Sequence, residues 1–516
     1  MKAITAQQAA QLIGDGATIG VGGMGLSGWA EEIAAAIEES FLSTGHPRSL
    51  KLKQGSFIGD GADRGVVHFA HKGLLSSWTV GIVGFDTPLS QLIAEGALEC
   101  HCLPQGVIIN LWREIAAGRP GLITKVGLGT FVDPEVEGGC MGNYCSEQLV
   151  ESIELHGERY LLYRSFPVDV ALIRGTYADA DGNISFWHES VMNEGLALAA
   201  AAKASNGIVI VQVERIIERG SIRPSGVRIP GILVDYVVEA TDERASWQTE
   251  GSFYNEAFCE RSNNEKVEFP KVPLDVRKLI ARRAACELRH GDLVNVGVGI
   301  PAAIALVCAE EGVVDAITFT SEAGSIGGAP APKPNFGSAF YPQALIDAGS
   351  MFDMIDGGII DITFLGIAQV DAEGNVDVSK FAHRVNGPGG LINLAGSCGR
   401  VVFCGTFSAG AYEEVVDGKM HIAKQGRAPK FVEHVEQITF AAHEALARGQ
   451  SVLYITDRAV FKLTENGLML TEIAPGIDLQ ADVLDQMGFV PVIAEDLKLM
   501  DEAIFHEIWG GLSIGE

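Results

Sequence analysis

The chain has 516 residues, 47% of them hydrophobic and 20% charged, which suits a globular protein with two or more cores. A formal charge of −28 argues against a nucleic-acid role, because phosphates are repelled over most of such a surface. It also requires any anionic ligand to be met by a local concentration of cations or backbone N–H groups.

The 62 glycines follow no fixed period and fall at the ends of apolar runs, the pattern of tight strand-to-helix turns. Nine cysteines are scattered without CxxC or zinc-type spacing, so buried reduced thiols, a reducing cytoplasm and no metal site are expected. The amino terminus, MKAITAQQAA, lacks a signal-peptide core, and no run of 18 apolar residues occurs, so neither export nor a membrane span is expected.

In chain order, strands are expected at Ala17–Val21, Trp78–Val83, Val168–Ile173, Ile208–Val213 and Leu293–Val298. Helices are expected at Trp29–Glu39, Val191–Lys203, Val276–Glu287 and Glu433–Arg448. This alternation predicts βαβ units in an α/β fold with mostly parallel sheets, and the continuously apolar strands predict cover on both faces.

An internal repeat divides the chain. Asp15–Gly23 resembles His290–Gly299, and Val168–Ile173 with Asp179–Asn183 resembles Ile360–Leu365 with Asp371–Asn375. The first pair is about 275 residues apart and the second about 192, so the first half carries about 83 more residues, the size of an inserted subdomain. Two homologous halves, residues 1–240 and 273–516, are expected from this repeat. The polar stretch 241–272 joins them, and its aromatic residues Trp247, Phe253, Tyr254 and Phe258 predict that part of it packs.

Five segments carry candidate chemistry. Gly20-Val21-Gly22-Gly23-Met24-Gly25 satisfies G-x-G-x-x-G, but no strand-end acid stands about 20 residues on, so a structural turn or ligand wall outranks dinucleotide binding. Leu103-Pro104-Gln105-Gly106 reads as a loop whose glutamine amide could donate to a carbonyl oxygen. Val296-Gly297-Val298-Gly299-Ile300-Pro301 leaves backbone open for a ligand to lie on, and Pro301 suits the first turn of a following helix. Thr320-Ser321-Glu322-Ala323-Gly324 places one carboxylate between an apolar run and a glycine turn, on a strand expected to neighbour the previous one. Asn386-Gly387-Pro388-Gly389-Gly390 is either a plain turn or a source of N–H groups for an oxyanion.

Together these segments resemble the family I CoA-transferases over nearly the whole chain. Asp15-Gly16 through Gly22-Gly23-Met24 to Gly28-Trp29-Ala30 is similar to the first family signature, with Met24 for the usual Phe and Ala30 for the usual Pro. Ser321-Glu322-Ala323-Gly324 is similar to the second, S-E-N-G, with Ala323 for the usual Asn. Leu103–Ile108, Ala116–Gly121 and Val126–Pro134 resemble the fused single-chain branch typified by acetate and propionate CoA-transferases.

The resemblance implies that Glu322 becomes acylated and then carries CoA as a glutamyl thioester, with ping-pong kinetics. It implies two related open α/β domains with the active site between them, and that Gln105 lies beside the substrate carbonyl. The Gly389–Gly390 pair matches the glycine whose N–H completes the oxyanion hole, and Val296, Gly297, Val298, Gly299 and Ile300 match the segment along which CoA lies. Acyl-CoA and short-chain carboxylates (acetate, propionate, butyrate, acetoacetate) are the implied substrates, with no permanently bound cofactor and a homo-oligomeric, tetrameric assembly. The alternatives are an acyl-CoA hydrolase on the same scaffold and, more remotely, a nucleotide-binding oxidoreductase.

Overall fold

The structure is a computed structural model that describes residues 2–84, 86–142, 144–260 and 271–514. Its first sheet contains β1 (Thr18–Val21), β2 (Leu50–Gln54), β3 (Leu75–Val80), β4 (Glu99–Cys102), β5 (Val170–Arg174), β6 (Ile208–Val213) and β7 (Tyr236–Glu239). They run in the order β7-β6-β5-β1-β2-β3-β4, with Lys2–Ala3 beside β7, and every pairing is parallel. The second sheet is built on β8 (Leu293–Val296), β9 (Thr318–Thr320), β10 (Ile362–Gly366), β11 (Arg400–Cys404) and β12 (Ser451–Ile455), in the order β9-β8-β10-β11-β12, again parallel. Short antiparallel strands extend it beside β9, and beside β12 it continues through two antiparallel strands, Ala459–Thr464 and Gly467–Ile473, to Val492–Leu499, which pairs parallel.

The repeat read from sequence is therefore a repeat of topology. The order β2-β1-β5-β6-β7 recurs as β9-β8-β10-β11-β12. Register recurs too: Ile19 lies against Val170 in the first sheet, and Val294 against Ile362 in the second. Between β4 and β5 the first half carries an antiparallel sheet of Gly121–Thr124, Val150–Leu155 and Glu158–Arg164, absent from the corresponding place in the second.

Parallel strands with both faces covered bury nearly every side chain, as in β5 and β1, so two apolar cores form. The helices that matter to the site are α1 (Glu31–Thr44), α2 (Gln105–Ala116), α3 (Gly195–Ala204), α4 (Ala348–Asp356) and α5 (Leu391–Ser397). The cores interlock: Ile109 of α2 packs in the second core, and Val385 and Ile392 pack in the first.

Several expectations need correction. The helix expected at Glu433–Arg448 is reduced to Ala442–Ala447. Its leading part is instead an irregular, bent segment held by distant partners, with Phe131 N–H donating to Ile438 O (2.7 Å) and Gln437 N–H to the Asp377 carboxylate (3.0 Å). The strand expected to reach Val83 ends at Val80, because Gly81 and Val83 bond to a loop of the other half. Cys140 and Cys145 form a disulfide, with Cα atoms 6.0 Å apart, against the expectation that all thiols are reduced. Among the other seven, Cys100, Cys102, Cys308, Cys398 and Cys404 are buried free thiols, Cys259 is half-buried and Cys286 exposed. Part of the joining stretch packs as expected: Phe258 is buried against Phe340, ring centroids 4.8 Å apart, whereas residues 261–270 lie outside the described residues.

Candidate active site

The carboxyl ends of the two sheets meet, and open α/β sheets bind ligands at those ends. Glu322 follows β9 in a turn closed by Gly324 N–H to Ser321 O (2.9 Å), Ser321 N–H to Ser325 O (3.0 Å) and Ala323 N–H to Ser321 Oγ (3.2 Å). Gly324 is required here: its φ is +106°, and a Cβ would lie 2.0 Å from Ile346 O.

The Glu322 residue is only 9% exposed. Burial pushes its pKa above the usual carboxylate value, an effect opposed by its own backbone N–H and by a hydrogen bond from the Asn295 side chain. Asn295 lies on β8 and is fully buried, its Oδ1 accepting from Thr363 Oγ1 at 3.5 Å. The adjacency of β8 and β9 inferred from spacing is thus present, with Asn295 beside Thr320 in register.

Beyond Val296, β8 gives way to the open segment Gly297–Ile300. Gly297 N–H donates to Phe364 O (2.8 Å), Val298 is 49% exposed, and a Cβ on Gly299 would meet nothing within 4 Å. Pro301 precedes the next helix, Ala303–Glu310, and its carbonyl accepts Ile304 N–H (3.0 Å). A ligand laid on this backbone meets little side-chain obstruction.

Gln105 opens α2 rather than sitting in a loop, with Pro104 at the N-cap position. Its N–H donates to Gly389 O (3.0 Å), Gly389 N–H donates to Gly81 O (2.8 Å), and Val83 N–H donates to Asn386 O (2.6 Å). Gly106 N–H donates to Asn393 Oδ1 (3.1 Å), and Asn393 in turn donates to Asp356 (2.9 Å). The Asn386–Gly390 loop is thereby seated on the first half. Gly389 N–H is committed to Gly81, whereas among the described residues no acceptor stands against Gly390 N–H at the start of α5.

The structure thus joins Gln105 directly to the Gly389–Gly390 pair and Glu322 to the β8 segment; no hydrogen bond among the described residues links these two groups. Gly20–Gly25 is a packed turn: a Cβ on Gly20 would lie 2.5 Å from Leu198, and one on Gly23 would lie 2.4 Å from Ser27 O. Sequence reasoning missed Asn295 and Glu194. Asn295 had a signal, as the lone polar residue in the apolar run Leu293–Val296. Glu194, 5% exposed and just ahead of α3, had none.

The site residues thus fall into two groups on an α/β scaffold: a buried carboxylate at a strand end, and a glutamine seated against a glycine turn. The chain matches the family described as Coenzyme A transferase over residues 3–240 and 277–379. It is 53% identical to a caffeate CoA-transferase of Acetobacterium woodii, covering 99% of this chain and 98% of that one. It is 39% identical to the acetate CoA-transferase YdiF of Escherichia coli K12, covering 99% and 97%. Among solved structures, the E. coli O157:H7 YdiF acyl-CoA transferase in a thioester complex with CoA superposes with a TM-score of 0.93 at 39% identity, covering 100% of this chain and 98% of that one. The chain belongs to the coenzyme A transferase family, in the single-chain form, and moves CoA between an acyl-CoA and a carboxylic acid. No helix among the described residues is long and apolar enough to cross a membrane.

Proposed function

We propose that this enzyme transfers CoA by a ping-pong mechanism through a covalent thioester on Glu322. The observation that carries the reading is the Glu322 carboxylate itself, buried at a strand end next to β8, where Asn295 Nδ2 donates to Thr320 O (3.5 Å). A carboxylate stripped of water is a better nucleophile than a solvated one.

An oxygen of ionised Glu322 attacks the thioester carbon, and the resulting oxyanion is met by the Gln105 amide and the free Gly390 N–H. Collapse breaks the C–S bond, leaving a mixed anhydride on Glu322 and CoA thiolate. The thiolate attacks the glutamyl carbonyl, the first acid departs as its carboxylate, and Glu322 carries CoA. The acceptor carboxylate then attacks the glutamyl thioester carbonyl and expels thiolate. That thiolate takes the acceptor's acyl group from the new anhydride and regenerates the Glu322 carboxylate. No net proton is consumed. Gly390 is preferred to Gly389 as the oxyanion donor because the Gly389 N–H is already engaged.

Gly297–Ile300 is read as the rail for CoA. Short-chain acyl groups follow from the branch resemblance, and the caffeate-named relative extends the range to aryl acids. The reading also takes 1–240 and 273–516 as two domains joined by 241–272, in a cytoplasmic homo-oligomer, with no nucleic-acid or membrane partner. The exclusion of water around Glu322 favours transfer over hydrolysis.

Initial rates measured while both substrates are varied should give parallel double-reciprocal lines, with little free acid released when no acceptor is present. Intersecting lines would overturn the covalent mechanism, and acid release unaffected by acceptor would indicate a hydrolase.

A further inference from the structure

Glu322 with its turn, and Gln105 with the Gly389–Gly390 pair, share no hydrogen bond among the described residues. Acyl transfer nevertheless needs both groups held to within about 0.5 Å around one reacting carbonyl carbon. Helix α4 reaches both. Ahead of it, Ala344–Leu345 pairs antiparallel with Ser325–Ile326, and Ile346 N–H donates to Gly324 O (2.9 Å), so the segment entering α4 is bound to the nucleophile's turn. Asp347 follows as the N-cap of α4, its Oδ1 accepting Ser350 N–H (3.0 Å).

Further along, the same helix carries the oxyanion side. A Cβ on Gly106 would lie 2.3 Å from Phe352 Cδ1, and one on Gly390 would lie 3.8 Å from Phe352 Cζ and 3.7 Å from Gln105 Oε1. Phe352, fully buried on α4, therefore separates the start of α2 from the start of α5. At the far end of α4, Asp356 holds Asn393, the residue that accepts Gly106 N–H.

Arg113 lies on α2, about two turns after Gln105. Its guanidinium crosses to α4 and donates to Asp347 Oδ1 (2.7 Å), Ser350 Oγ (3.1 Å) and Asp353 Oδ2 (2.6 Å). It lies against Gly349, where a Cβ would come 2.9 Å from Arg113 Cζ. Asn110, one turn earlier, adds a bond from Nδ2 to Asp353 Oδ1 (3.0 Å). Apolar contacts between the helices, such as that of Ile109, are non-directional, whereas a planar fork on fixed acceptors admits one register. These ion pairs are half-exposed and add little stability, so register is their main contribution.

We propose that Arg113 is a positioning residue for CoA transfer: by fixing α2 on α4 it sets the Gln105 amide against the Glu322 nucleophile. The inference rests on the reading of Glu322 as the acylated residue and Gln105 as an oxyanion donor. Every link is a printed contact or a chain neighbour, running from Arg113 to Asp347, then Ile346, then Gly324, two residues from Glu322. Arg113 touches no reacting atom. Without its fork α2 shifts on α4, and the Gln105 amide moves off the developing oxyanion. The Gly297–Ile300 segment is untouched, so the loss falls on the chemical step and not on CoA binding.

The test is a double-mutant cycle on the full chain, with propionyl-CoA as donor and acetate as acceptor. Rates are taken per mole of enzyme that forms the CoA adduct, so unfolded protein is not counted. Arg113→Met should lower kcat about tenfold with KM for propionyl-CoA changed less than about twofold, and Arg113→Lys, which can meet one carboxylate, should fall between. In a Gln105→Ala background the same Arg113→Met change should lower kcat less than about twofold, because the donor it positions is gone. A merely structural role lowers kcat by the same factor in both backgrounds. Equal losses in the two backgrounds, or an Arg113→Met enzyme within about twofold of wild type, overturn the proposal. A wild type that turns over without any CoA adduct on Glu322 overturns the parent reading and this one with it, and mass analysis separates that failure from the others.

Discussion

Gly324→Ala tests whether the geometry of the nucleophile's turn matters as much as its residues. The new Cβ would stand 2.0 Å from Ile346 O, and an ordinary contact needs at least 3.4 Å, so the Ile346 carbonyl and the Glu322 turn must move apart by more than an ångström. The φ of +106° adds strain for any L side chain, together on the order of 2–4 kcal/mol of stability. Glu322 is two residues away, and a misplacement of about 1 Å at a reacting group costs on the order of 10²-fold in rate. The variant should therefore lose about 100-fold in kcat/KM for CoA transfer and melt earlier than wild type. Gly14→Ala is the control, since a Cβ there meets nothing within 4 Å. If Gly324→Ala transfers CoA within threefold of wild type, the turn does not position the nucleophile and the reasoning fails.

Other outcomes follow from the same site. Gln105→Ala should lower kcat by about 10²–10³, the usual cost of one oxyanion donor, with KM changed less, measured by steady-state kinetics. The raised pKa of Glu322 means that activity should fall as pH drops and the nucleophile gains its proton; Asn295→Leu, by removing a hydrogen bond that favours the anion, should move that acid limb to higher pH. Glu194→Gln should stabilise the fold in a pH-dependent way. A buried acid with a raised pKa weakens the native state as pH climbs from the ordinary 4.5 to about 7, so the gain should be near zero around pH 4 and about 3 kcal/mol near pH 8, read by urea unfolding at both.

Much of this architecture is legible in the sequence because parallel strands buried on both faces leave continuous apolar runs, and Ile208–Val213 is found with the boundaries read from sequence. The repeat is legible for the same reason, since matching strands keep matching register. What fails are segments whose conformation is set by distant partners. Val435 and Ile438 have helical spacing, yet this stretch is held in an irregular, bent path by Phe131 and Asp377, which no local pattern reveals. Residues 81–83 read as strand but bond to a loop some 300 residues away. The Cys140–Cys145 pair carries no recognisable spacing motif. At the site, Glu322 and the glycine turns stand out by type and position. Which N–H of Gly389–Gly390 is free depends on the Gly81 carbonyl, which only the assembled structure supplies.

The central claim is a bond between CoA and one buried carboxylate. After incubation with an acyl-CoA and no acceptor, proteolysis and mass spectrometry should find the mass of CoA, joined through a thioester, on the peptide containing Glu322, and the adduct should vanish on adding a carboxylate acceptor or in Glu322→Gln. An enzyme that turns over under these conditions while that peptide stays unmodified, or that keeps full activity as Glu322→Gln, contradicts the account.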